Sequence, residues 1–226
     1  GVELFKYEGT ERKYGAKPNL LKKVRIDAPI FRLIDEASQI VKEHIKERRV
    51  PHDLFYVERF EYPTLAWQEA LINAVAHRDY NLTGTSIEIA MFDDRVEVRS
   101  PGNLPEPVSL EQLYKQERVH FSRNPLVVRV LTDLGYMREL GEGIPRIFGE
   151  MENNYLRPPE LTEQGFSFCV VLRNAPLLDE ETQSWVQGFS KYPLNWRQRR
   201  ALAYARHHGM SFTSKTYQKV GGVDRD

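Results

Sequence analysis

Three residues with complementary chemistry fall four apart in the stretch EALINAVAHRDY: Glu69, Asn73 and His77. At helical spacing they share one face. A side-chain amide oxygen such as that of Asn73 is a neutral hard ligand suited to Mg²⁺, which keeps several waters and takes few protein ligands. A carboxylate one turn earlier could orient or deprotonate a water for attack on a phosphoryl group. An imidazole one turn later could contact a nucleotide or stiffen the helix end. The same spacing also fits a half-exposed helix face whose polar residues meet water. The rest of the stretch (Ala70, Leu71, Ile72, Ala74, Val75, Ala76) is unusually apolar for a surface helix.

The neighbouring segments supply the elements that must position this line. Residues 2 to 8 and 22 to 27 read as short strands around a polar loop, and a helix follows from Pro29 to about Lys46 with apolar residues at core spacing. DEAS (35–38) superficially resembles a helicase box, but the chain has no GxxxxGK[ST] loop to partner it. LFYVERFEYP reads as a strand and leads into the helix of Glu69, capped by Thr64. SIEIAMF and RVEVRS alternate on either side of Asp93-Asp94, the mark of an antiparallel hairpin. SPGNLPEPVSLEQL, with three prolines and a glycine, reads as a loop. SRNPLVVRVLTDLG has Asn124 or Ser122 as N-cap, Pro125 in the first turn and Gly135 at its end, a full helix signature. ELGEGIPRIFGEMENN is a glycine-rich turn opening another helix, and FSFCVVLR is a closing strand.

Bulk composition narrows the setting. Lys+Arg and Asp+Glu balance at 32 each, so only the distribution of charge can speak for a nucleic acid partner. The single cysteine, Cys169, lies in an apolar run, which fits a reducing, cytoplasmic home. No leader opens the chain and no run reaches the roughly 18 apolar residues of a membrane span. The first residues, GVELFKYEG, start inside a strand without Met, as a fragment would. From Lys191 onward eight Lys/Arg face two Asp, so positive charge gathers at the C-terminal end.

Taken together, EALINAVAHRDY, IEIAMFDDRVEVRSPGNLP and GEGIPRI resemble the GHKL (Bergerat) ATP-binding fold. Within it they resemble the C-terminal ATPase-like domain of RecG-related transcriptional regulators, which carry an N-terminal Schlafen/AlbA-type DNA-binding domain. The likeness spans residues 29 to 174. It implies an α/β fold, a two-layer sandwich of a mixed, largely antiparallel sheet with helices on one face. It implies ATP and Mg²⁺ as cofactors, Glu69 as general base and Asn73 as metal ligand, with His77 on the same pocket-lining face. Ser100, Gly102 and Asn103 would lie against the adenine. Gly141 and Gly143 would let backbone N–H groups approach phosphate, and Arg123 would be a phosphate contact in a lid from about 107 to 138. Active members of the superfamily carry an Asp in the first glycine box to accept from the adenine amino group. This chain has Ser100 there, so that carboxylate is missing unless Asp93, Asp94 or Glu97 substitutes.

The ends carry further resemblances. Residues 1–28 resemble the last strands of an AlbA-type domain, and 191–226 the opening of a winged helix-turn-helix whose recognition helix would start near Asp224; between them the composition changes, and 175–190 reads as a linker or a loose helix. Arg197, Arg199, Arg200 and Lys215 would contact DNA phosphates, which position a protein without reading sequence. The expected partner is therefore DNA, with a homodimer possible and no membrane. Smaller features have structural readings: Arg78 and Asp79 as a helix-ending pair, Gly141-Glu142-Gly143 as a tight turn, His207-His208 as a basic helix end without zinc. Two functions remain open, a slow Mg²⁺-dependent ATPase module in a DNA-binding regulator, or a degenerate, non-hydrolysing Bergerat domain used for dimerisation or effector binding.

Overall fold

Alternating apolar and charged residues build the central sheet. The computed structural model describes residues 1–15, 17–52, 55–119, 121–137, 141–154, 156–194, 196–208 and 213. The chain divides into two compact units, Gly1–Val50 with Glu58–Ala175, and Pro51–Val57 with Pro176–Asp226. In the first, β1 (Val2–Tyr7), β2 (Leu20–Ile26), β5 (Ile87–Met91), β6 (Arg95–Pro101), β7 (Glu160–Gln164) and β8 (Ser167–Arg173) form a six-stranded sheet in the order β2-β1-β5-β6-β8-β7. β1 and β5 run parallel; the other pairs are antiparallel. Along β6, Val96, Val98 and Ser100 are buried while Arg95, Glu97 and Arg99 alternate with them. This second face is tied by ion pairs, Arg95–Glu97 at 2.7 Å, Lys23–Glu3 at 3.3 Å and Arg12–Glu88. Cys169 lies opposite Arg99, and burial pushes its thiol up to about 11, so it stays protonated and unreactive.

Helices cover the other face. α1 (Ile30–His44) packs on β1 and β2, and α2 (Thr64–His77) on β6. α2 also meets α1, α4 (Pro125–Asp133) and α5 (Gly143–Asn153). Being enclosed by a sheet and three helices explains why α2 is apolar nearly all round, with Trp67, Ala70, Leu71, Val75 and Ala76 buried. The two-layer sandwich with helices on one face is thus the observed architecture. Among the described residues no helix is long and apolar enough to cross a membrane.

Several boundaries differ from the sequence reading. Residues 2–26, read as the end of a preceding domain, are the two outer strands of this same sheet. Thr64 is the first helical residue of α2 rather than its cap; Pro63 holds that position and Ala66 N–H donates to its carbonyl at 3.0 Å. The proline-rich segment read as a loop contains α3 (Leu110–Tyr114), because Ser109 and Gln112 form a reciprocal capping box. β3 (Glu47–His52) and β4 (Phe55–Phe60) make a separate two-stranded sheet.

In the second unit, α6 (Glu180–Gln187) starts where Asp179 accepts from Thr182 N–H at 2.8 Å, so of the two readings, linker or loose helix, part of the segment is helix. It packs against α7 (Trp196–His208), with Val186, Ala201 and Ala203 buried and Thr182 Oγ1 2.9 Å from His207 Nε2. The rest of the expected helix-turn-helix, including Lys215, lies outside the described residues.

Candidate functional site

The polar line of α2 faces a cavity of about 370 Å³, within the size range of small-molecule sites. Glu69, Asn73 and His77 form one wall; Val98 and Ser100 of β6 and Phe168 and Val170 of β8 form another. Gly102, Asn103, Gly141 and Gly143 also line it, so eight of the sequence-selected residues converge on one space. The remaining lining is largely apolar, including Leu104, Val108, Val119, Val128 and Ile144.

At one end sit the carboxylate and the amide. Glu69 is only 6% exposed. Its Oε2 accepts from Arg146 Nη1 at 2.9 Å, and its Oε1 accepts from Asn73 Nδ2 at 3.4 Å. Among the described residues, Asn73 Oδ1, a hard oxygen, accepts no hydrogen bond. The glycines here are dictated by close approach. A Cβ on Gly143 would lie 2.6 Å from Glu69 Oε1 and 2.8 Å from Asn73 Nδ2. Gly141, at φ +62°, would place a Cβ 2.7 Å from the Val119 carbonyl oxygen. The Gly141–Gly143 turn is therefore pressed between Val119 and α2.

The opposite end is organised by Asp79 and Arg123. Arg123 Nη1 lies 3.2 Å from Asp79 Oδ2, and Nη2 donates to the Asn103 carbonyl at 2.7 Å. Gly102, at φ +104°, would place a Cβ 2.2 Å from Arg123 Nη1. Arg123, expected at the phosphates, is thus engaged at the Gly102 end and does not line the cavity. Arg78 and Asp79 do not pair with each other: Arg78 Nη2 donates to the Leu82 carbonyl at 3.1 Å. Asn124 precedes α4 but its side chain does not cap it. Its Nδ2 instead donates to the carbonyls of Ala76 and Arg78, at 3.0 and 2.7 Å, closing the C-terminal end of α2. Burial, with the Arg123 charge nearby, holds the His77 imidazole below its ordinary value of 6.5, so it is neutral at pH 7.

Ser100 is 6% exposed and donates its hydroxyl proton to the Ala74 carbonyl at 2.8 Å. A hydroxyl committed as donor still offers two lone pairs, so toward the cavity Ser100 is an acceptor. None of the alternative carboxylates lines the space. Asp93 accepts from Gly9 N–H, Asp94 pairs with Arg95 and Arg173, and Glu97 pairs with Arg95.

Among the described residues no group of three or more His, Cys, Asp or Glu could hold a metal by itself. One amide oxygen beside one carboxylate suits Mg²⁺ that arrives largely ligated by water and phosphate. Of the DNA-contact set, Arg199 and Arg200 lie on α7 in the other unit, Arg200 exposed; the Arg197 side chain, like Lys215, lies outside the described residues. The sequence reading missed Arg146. Its signal was position alone: three residues after Gly143, it lies on the first turn of α5, which the glycine brings against α2.

Comparison with known proteins bears on this site. A family model described as "Putative ATP-dependent DNA helicase recG C-terminal" matches residues 84–172. That span is similar to an ATPase-like module and holds Ser100, Gly102, Asn103, Arg123, Gly141 and Gly143; α2 lies before it. The crystal structure of the DIP2311 protein from Corynebacterium diphtheriae superposes with a TM-score of 0.70 over 97% of this chain at 22% identity, a likeness of fold. This chain spans 44% of the length of that one. No curated protein matches the chain.

Proposed function

We propose that the first unit is an adenine-nucleotide-binding module that uses Mg²⁺ and serves a DNA-binding regulator. The observation that carries this reading is the meeting of Glu69, Asn73 and the Gly143 turn at one end of a cavity whose remainder is apolar enough for a planar base. Asn73 Oδ1 is the residue atom that would hold the metal, whose charge would neutralise the phosphates. Ser100 accepts from the exocyclic amino group of the base, in place of a carboxylate. The chemistry proposed is slow hydrolysis of ATP. A water oxygen bonds to the terminal phosphorus as the bridging P–O bond breaks, ADP leaves, and the water's proton passes through Glu69 to solvent.

The second reading, a non-hydrolysing effector or dimerisation domain, is favoured by one observation: Glu69 Oε2 is already held by Arg146. DNA contact through Arg197, Arg199, Arg200 and Lys215 belongs to both readings.

The test is the thermal midpoint with and without millimolar ATP–Mg²⁺, for the wild type and Asn73→Ala. A ligand that binds only the folded state at 100 times its Kd adds about 2.7 kcal/mol. A shift in the wild type that vanishes in Asn73→Ala supports the metal-dependent nucleotide site. No shift in the wild type sinks it. A shift without phosphate release on prolonged incubation selects the non-hydrolysing module.

A further inference from the structure

The cavity has a charge imbalance. Among the described residues, Glu69, Glu117 and Glu142 line it, and no Lys or Arg does. A polyphosphate entering such a space meets carboxylates first, so a cationic side chain beside them would add to the charge of the incoming Mg²⁺. Among the described residues, two guanidiniums pair with these carboxylates. Arg118 pairs with Glu142 at 2.9 Å but is 71% exposed, where water and salt weaken its field. Arg146 pairs with Glu69 at 2.9 Å and is 33% exposed against a carboxylate that is 7% exposed. Among the described residues, the hydrogen bond of Arg146 uses Nη1 alone. A guanidinium has five N–H donors in a planar fork, so Nε and Nη2 remain for a second anion. Because Arg146 belongs to the same helical turn as Gly143, it stands at the edge of the site, bonded to Glu69 and next to the glycine turn that abuts Asn73.

We propose that Arg146 is the positioning residue of this site: it fixes Glu69 through Oε2 and uses its remaining donors to take the terminal phosphate of the entering nucleotide. This rests on the nucleotide reading above. Without nucleotide, Arg146 compensates a buried carboxylate. With nucleotide, it bridges that carboxylate and the phosphate, so the protein distinguishes a triphosphate from a diphosphate. Lysine keeps the charge but lacks the fork that spans two anions.

The experiment measures Kd for ATP–Mg²⁺ and ADP–Mg²⁺ by calorimetry on the full chain for wild type, Arg146→Lys and Arg146→Gln. It also measures urea midpoints for these and for Glu69→Gln and the double variant Glu69→Gln/Arg146→Gln. Arg146→Lys is expected to keep the urea midpoint near wild type. It should weaken ATP at least about tenfold and ADP less than about threefold. The double variant is expected to regain the midpoint that Arg146→Gln loses, because no unpaired buried charge remains. Equal weakening of ATP and ADP, with wild-type binding intact, overturns the proposal and leaves Arg146 a structural ion-pair partner. A wild type that binds neither nucleotide sinks the preceding reading, and the phosphate half of this one with it. Failure of the double variant to recover overturns the half concerning Glu69.

Discussion

A methyl group at position 143 would land 2.6 Å from Glu69 Oε1, closer than any real contact of that kind. Gly143→Ala must therefore push the carboxylate and amide apart. It is expected to cost about 1–3 kcal/mol and to remove the ATP-dependent thermal shift. Gly149 in the same helix has nothing within 4 Å of a built Cβ. Gly149→Ala is expected to stabilise by about 0.5–1 kcal/mol, which makes it the control for helix propensity in the same urea series. His77 offers a pH test. Its folded value lies below the ordinary 6.5 because burial disfavours the charged ring. Between the two values the unfolded chain binds more protons, so its contribution is complete above 6.5 and is lost as pH falls through the folded value. His77→Gln should flatten the fall in urea midpoint between about pH 7.5 and about pH 5. His44 is also lowered by burial and keeps its share in the variant. An unchanged slope would mean that His77 does not titrate differently on unfolding. Sequence alone revealed the types and the register of Glu69, Asn73 and His77. It could not reveal Arg146, because a pairing 77 residues away leaves no mark on local spacing.

At the scale of elements, Asn124 links two parts that sequence distance separates. It stands 48 residues from Ala76 yet donates to that carbonyl, in the last turn of α2, and to the Arg78 carbonyl just beyond it. Helix ends leave such carbonyls without partners, so the segment before α4 is also the cap of the helix that carries the candidate site. Asn124→Ala removes two bonds and is expected to cost about 1–3 kcal/mol. Hydrogen exchange should then rise both at the end of α2 and in the segment before α4; a rise confined to that segment would show that α2 does not depend on it. Long, strongly periodic elements such as α1 and the β5–β6 hairpin were legible because their apolar pattern repeats over several turns or alternations, and α2 because its few polar residues recur at helical spacing. β7 was not: in ELTEQ only Leu161 is buried, and the strand exists because β8 supplies its ladder. α3 was hidden among prolines, its capping box outweighing their influence within a few residues.

For the molecule as a whole, the parallel pairing of β1 with β5 decides where a folding unit can be cut. Val2 registers with Ile87 and Leu4 with Ile89, all four side chains almost fully buried. A chain trimmed at residue 28, the boundary the resemblance implied, keeps α1 but strips the sheet of two strands. It leaves the β5 edge open beside apolar side chains, a template for association. Deletion of residues 1–28 is expected to give aggregates in size-exclusion chromatography at concentrations where the full chain runs as a discrete species. A well-behaved trimmed chain would show that the first hairpin is dispensable. Strand alternation alone could not choose between the two outcomes, since residues 2–7 carry the same signature in any sheet.

The same pairing imposes an order in time. At roughly 5–20 residues per second, the segment that pairs with Val2 through Lys6 follows it from the ribosome by about 4–17 s, over the 85-residue separation of Val2 and Ile87. For that interval the first hairpin has one side chain row, Val2 and Leu4, with no sheet partner on its second edge. The nascent chain must carry this exposed edge until β5 arrives, and a lone hairpin is at best marginally stable over that time.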